Sequence, residues 1–180
     1  MALTHTILAA LAQSPLTGYD LWKRFENEFN CFWRASQQQI YRELAKMEKQ
    51  GLISCQVIPQ NGRPNKKEYS LTDAGMSHFQ EWMNLPSEPT AIREDLGVKM
   101  KMAYLVPREV ILKELQHRRH IHYQQLLKFK EKERSYFSNS DGLSFQEQCS
   151  YLTLRRGIRY ESDWVAWCDE AIEALSDRLE

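Results

Sequence analysis

The 180-residue sequence has no net charge, since 24 lysines and arginines balance 24 aspartates and glutamates. A chain-wide basic excess, the plainest sign of a nucleic-acid partner, is therefore absent. With 42% hydrophobic residues, the chain is too apolar to be disordered. No stretch approaches the ~18 apolar residues of a membrane span, so no membrane partner is expected. The first thirteen residues show neither a basic region nor a long apolar run, which makes a secretory signal unexpected and the cytoplasm the expected location. Cysteines are few (Cys31, Cys55, Cys149 and Cys168) and form no C-x-x-C pair, so they read as reduced, small hydrophobes. Seven glycines and six prolines are too few for a turn-rich all-β fold. No G-x-S-x-G, phosphate-binding loop, dinucleotide glycine pattern or H-E-x-x-H occurs. No enzymatic activity and no cofactor are expected.

The charge that is there is unevenly spread. Between residues 34 and 67, seven cations (Arg34, Arg42, Lys46, Lys49, Arg63, Lys66, Lys67) face only Glu43 and Glu48, a local net of +5. Residues 138–180 carry the opposite sign, with nine acidic groups against four basic ones. Global neutrality thus conceals a basic patch of the kind phosphate recognition requires.

Hydrophobic periodicity predicts where that patch sits. Leu3, Ile7, Leu8 and Leu11 have helical spacing, and Ser14-Pro15 ends this first helix. Thr17 reads as the N-cap of a second helix, with Asp20 at its third position, running through Leu21, Trp22 and Phe25 to about Phe29. Ser36-Gln-Gln-Gln39 is an S-x-x-Q capping box that opens a third helix. Its buried stripe is Ile40, Leu44 and Met47, and Gly51 closes it. At ~100° per residue the opposite side shows Gln38, Gln39, Arg42, Lys46 and Lys49, with Tyr41 on the flank. Leu52 to Ile58 reads as a strand, 59–65 as a turn, and Lys67 to Leu71 as the returning strand, with Arg63, Lys66 and Lys67 at the hairpin tip. A fourth helix starts at Thr72-Asp73 and carries Ala74, Phe79, Trp82 and Met83. Three helices, a strand, a basic turn, a strand and a helix follow the winged helix-turn-helix order.

The remainder reads as helical. A linker at 84–89 leads into a short helix over 92–104, and a pattern of about thirty residues runs from Arg108 to Phe137. Residues 138–142 form a break. In the last helix Tyr151, Leu154, Ile158, Val165, Cys168, Ile172, Leu175 and Leu179 recur at spacings of three and four, with Glu161 the one polar member. A second flank of Tyr160, Trp164, Trp167 and Ala171 makes the apolar face wider than one partner helix needs. A homodimer, using one patch twice, is the simplest way to cover it. The expected fold is mainly α, with a winged helix-turn-helix domain at 1–83, a linker and short helix at 84–106, and a long antiparallel helical dimerisation domain at 107–180.

An α-helix fits the major groove, where amides pair with adenine and guanidinium groups with guanine. Gln38 or Gln39 and Arg42 are the candidate base readers, while Ser36, Tyr41, Lys46, Lys49, Arg63, Lys66 and Lys67 are candidate phosphate ligands. Double-stranded DNA is therefore the expected partner. The alternative is a winged helix whose third helix binds another protein instead of DNA. Tyr160, Trp164 and Trp167 are candidates for stacking a small aromatic effector, against the plainer role of filling the dimer core. Glu114, His117, His120 and His122 cluster, but the i, i+4 partner of His117 is Ile121, so no metal site is expected.

The runs 16–25, 32–36, 39–44, 48–52 and Gly62-Arg-Pro-Asn-Lys-Lys-Glu-Tyr-Ser-Leu-Thr-Asp-Ala-Gly75 resemble the PadR family of bacterial transcriptional regulators. Leu154-Arg-Arg-Gly-Ile-Arg-Tyr-Glu161 and Trp164-Val-Ala-Trp-Cys-Asp-Glu170 resemble the C-terminal helical region of its longer, AphA-like subgroup. The resemblance implies a homodimer whose C-terminal helices embrace the partner, bound to a pseudo-palindromic operator and usually repressing. By motif, Ser36, Gln39, Tyr41 and Arg42 match recognition-helix positions, and Arg63 and Lys66 match the wing.

Overall fold

The structure is a computed structural model that describes residues 2–29, 33–60, 62, 65–89, 93–137 and 142–176. The chain divides into two units, 1–89 and 90–180.

In the first unit, α1 (Ala2–Leu11) is followed by a two-residue strand β1 (Leu16–Thr17) and α2 (Gly18–Arg24), which continues as one π-helical turn over Phe25–Phe29. Thr17 caps α2 as expected: its hydroxyl accepts from the Asp20 amide (3.1 Å) and donates to the Asp20 carboxylate (2.6 Å). Arg24 reaches back to the Gln13 side chain at 2.7 Å and, at 3.2 Å, to the Ala10 carbonyl, which also accepts from the Gln13 amide at the end of α1. The next helix, α3 (Gln37–Lys49), leads into β2 (Ile53–Ile58), β3 (Lys66–Leu71) and α4 (Asp73–Met83).

The sheet is antiparallel with order β1-β3-β2, pairing Leu16 with Tyr69 and Ile53 with Leu71. The sequence shows no run long enough to announce β1. It is a strand because the Leu16–Thr17 backbone lies along β3. Helices and sheet enclose one core of Ile7, Leu8, Leu11, Leu21, Phe25, Ile40, Leu44, Met47, Ile53 and Tyr69. On α4 the packing differs from expectation. Phe79 reaches the core, whereas Ala74 and Met83 are exposed and the buried residue of the first turn is Gly75.

The second unit opens with α5 (Asp95–Lys101) and a 3-10 turn (Ala103–Leu105), followed by α6 (Arg108–Tyr136) and α7 (Phe145–Ser176). At ~1.5 Å per residue, the 29 and 32 residues of α6 and α7 span roughly 43 and 48 Å. Ion pairs between them run in opposite directions along the chain, Arg119 with Asp169 and Glu133 with Arg155, so the two helices are antiparallel. The short helix expected within the linker is packed in this unit: Leu96 is fully buried beside Ile111, Leu115 and Cys168. Among the described residues no helix is long and apolar enough to cross a membrane.

Candidate nucleic-acid interface

The presentation of α3 begins with its caps. The Ser36 Oγ accepts from the Gln39 amide (3.2 Å) and the Gln39 Oε1 accepts from the Ser36 amide (2.8 Å), closing the box read from the sequence. At the other end Gln50 is the C-cap and Gly51 the following residue, with φ +71°. The Gly51 and Leu52 amides donate to the Glu48 and Met47 carbonyls, both at 3.1 Å, which is a Schellman closure. Ile40, Leu44 and Met47 have no exposure, so the helix cannot roll without opening the core.

That locking fixes what points outward. Ser36, Gln38, Gln39, Tyr41, Arg42, Lys46 and Lys49 are all exposed, and so are Lys66 and Lys67 at the start of β3. Arg63 lies outside the described residues. The two amides expected to read bases differ in freedom. Gln39 has its oxygen in the cap, whereas Gln38 is exposed and forms no part of it. Lys46 is paired with Glu43 at 3.1 Å. Glu43 also accepts from the Thr4 hydroxyl. Burial pushes the Glu43 carboxyl up, but the hydrogen bonds from Thr4 and Lys46 outweigh it and hold the group below its ordinary range.

One positioning residue is hidden in the sequence. A side chain on Gly18 would meet the Tyr41 ring at 2.3 Å, so this glycine lets Tyr41 lie across the start of α2. Read locally, Gly18 marks only a helix start; its partner is 23 positions away.

The C-terminal candidates are placed less simply. Cys168 is fully buried, and Ile158 is 6% exposed, within a single chain. Burial raises the Cys168 thiol above its usual range, as suits an inert core residue. Cys168 therefore meets Leu96 of α5 and Ile111 and Leu115 of α6 rather than open space. Tyr151, Leu154, Val165, Ile172 and Leu175 are half-buried, and Leu179 lies outside the described residues. The polar seam member is explained within the chain: Glu161, 5% exposed, meets His122 Nδ1 at 2.5 Å. His122 in turn stacks on Trp164 with centroids 4.8 Å apart and planes 1° apart. Trp164 also stands edge-on to Trp167 at 5.5 Å and lies under Arg118, while Tyr160 remains exposed. Of the histidine cluster, His117 and His120 are exposed, and Glu114 is paired with Lys99 at 3.1 Å.

Comparison with known proteins covers the whole chain. Residues 7–81 match the transcriptional regulator PadR-like family, and 92–176 match the virulence activator alpha C-terminal region. A probable transcriptional regulator of Mycobacterium tuberculosis, Rv1176c, is 31% identical, with 99% of this chain and 100% of that protein aligned. The crystal structure of the Vibrio cholerae virulence activator AphA is 32% identical with a TM-score of 0.79, covering 97% and 98% of the two chains. Bacillus subtilis PadR, a negative transcriptional regulator, is 28% identical over 98% of each chain. Its crystal structure with operator DNA shares the fold at a TM-score of 0.84 over 96% and 97%, with 24% identity. A second structure of that protein holds p-coumaric acid, with a TM-score of 0.74 over 97% and 96% and 23% identity.

Proposed function

The chain belongs to the PadR-like family of transcriptional regulators, and from that premise we propose that it is a homodimeric repressor binding a pseudo-palindromic operator in double-stranded DNA. The observation that carries this reading is the outward face of α3. Gln38, Arg42, Lys46 and Lys49 stand exposed on a helix capped at both ends and sealed on its other side. In the major groove Arg42 pairs with guanine and Gln38 with adenine, while Lys46, Lys49, Lys66 and Lys67 hold phosphates. Residues 1–83 read DNA and 107–180 dimerise. Phe145, Leu152, Tyr104 and Leu105 are each at least 65% exposed, apolar surface of the kind that a second copy would cover. The half-buried seam residues from Tyr151 to Leu175 then border that interface. Repression follows the B. subtilis relative, and p-coumaric acid in that relative supports a small aromatic effector, placed here beside Tyr160, Trp164 and Trp167.

Arg42→Ala is expected to weaken operator binding by about 1–3 kcal/mol and to relax one base position, with little change on random DNA. Lys66→Ala should weaken both alike and flatten the salt slope by about one unit. Fluorescence anisotropy on both duplexes at several salt concentrations reads these outcomes. Equal losses on the two duplexes for Arg42→Ala would remove the base-reading role. The same titration separates the protein-interaction alternative, whose mostly apolar interface would barely respond to salt.

A further inference from the structure

The start of α3 gives its two neighbouring glutamines different chemistry. Gln39 Oε1 accepts from the Ser36 backbone amide at 2.8 Å. A backbone N–H can only donate, so the atom facing it is the oxygen, and the orientation of this side-chain amide is fixed. Its Nε2 keeps two N–H donors and makes no hydrogen bond among the described residues. The Ser36 Oγ holds the Gln39 backbone amide at 3.2 Å, so side chain and main chain of this exposed residue are both anchored. With its oxygen on a residue three positions earlier, the Gln39 side chain is folded back along the first turn. Gln38 is also exposed, and neither end of its amide belongs to the box.

Reading adenine takes both ends of an amide, the oxygen for the N6 amino group and the nitrogen for N7. Gln38 has both to offer. Gln39 does not. Its oxygen has a second lone pair, but while Oε1 stays on Ser36 the oxygen and nitrogen cannot be laid side by side along one base edge. We propose that Gln39 is a specificity-determining residue that acts as a donor only and reads guanine, with its Nε2 amino group shared between N7 and O6. This rests on the proposed function and deepens it. Guanine is the base whose major-groove edge offers two acceptors and no donor. Adenine would set its own amino group against that of Gln39, cytosine has no acceptor there, and thymine has one beside a methyl group. The N-terminal residues of a recognition helix are the ones that meet base edges, and the positive end of the helix dipole lies there, favouring an acceptor. Each half-site then holds an adenine for Gln38 and two guanines, one read by the charge of Arg42 and one by the free half of the Gln39 amide.

The test is selection of bound duplexes from a randomised pool by the intact protein, repeated with Gln39→Glu. In an S-x-x-E box a carboxylate takes the Ser36 amide as the amide oxygen does, so this variant keeps its helix start, which an unchanged thermal midpoint checks. Its remaining oxygen accepts and cannot donate. The selected base should therefore change from guanine to cytosine at that position, with the positions of Gln38 and Arg42 unaltered. A second measurement needs no variant at position 39. Replacing each guanine of the selected duplex in turn by 7-deazaguanine removes N7, and Arg42→Ala identifies the guanine that belongs to Arg42. A second guanine in each half-site should then cost about fivefold in affinity when N7 is removed, and nothing when inosine, which keeps N7 and O6, replaces it. An unchanged consensus in Gln39→Glu, adjacent adenines at the Gln38 and Gln39 positions, or no second sensitive guanine would overturn the donor-only role and leave the proposed function standing. Selection of no sequence at all would overturn the proposed function, and the role of Gln39 with it.

Discussion

Gly75→Ala is expected to destabilise the first unit by about 1–3 kcal/mol, seen as a lowered midpoint in thermal unfolding followed by circular dichroism. The cause is a backbone approach. A Cβ at position 75 would lie 2.0 Å from the Leu52 carbonyl oxygen and 2.8 Å from Leu71 Cδ1. That carbonyl is itself tied down, accepting from the Thr72 amide at 3.2 Å and lying 2.9 Å from the Thr72 hydroxyl. The same hydroxyl accepts from the Gly75 amide at 3.0 Å. Neither side can retreat: α4 cannot move away without breaking its cap, nor the 51–52 turn without opening the end of α3. Gly97→Ala is the control. Nothing lies within 4 Å of a Cβ there, so the change should be neutral or stabilising by about 0.4–1 kcal/mol. Equal midpoints for the two variants would mean that α4 does not approach Leu52 this closely.

His122→Ala should cost the second unit about 3–5 kcal/mol, because it leaves a buried carboxylate without its partner. The side chains of His122 and Glu161 are 12% and 7% exposed, so water replaces neither. Replacing both together, His122→Leu with Glu161→Leu, removes the desolvated charge along with its partner and should recover most of the loss. Urea unfolding of the two variants distinguishes this from simple loss of packing on Trp164. If the double variant is as unstable as His122→Ala, the ring stack rather than the pair dominates.

What was legible in the sequence was local. The Ser36–Gln39 box, Gly51 after α3 and the Thr17 cap each depend on residues within one turn, and each is found where its spacing put it. The outward and inward faces of α3 followed from periodicity alone. What was hidden is long-range. Gly18 meets Tyr41 and Gly75 meets Leu52 across 23 positions each, and neither sequence neighbourhood signals the approach. The π-helical turn at Phe25–Phe29 leaves no periodic signature over five residues. The α7 seam carries a further lesson. Apolar recurrence at three and four specifies a buried stripe without saying what buries it, and at Cys168 the answer is the chain's own α5 and α6. Glu161, the odd member of that stripe, found its partner in a histidine that the sequence grouped with two others.

The most direct test of the account is dimethyl sulfate protection on an operator recovered by genomic footprinting. With α3 of each protomer in the major groove, guanine N7 atoms should be protected in two patches about 10–10.5 base pairs apart, centre to centre. In Arg42→Ala the protection should fade at one guanine in each patch. Full N7 reactivity throughout a bound operator would contradict the account, because it would leave the groove empty of the helix that the chain holds ready for it.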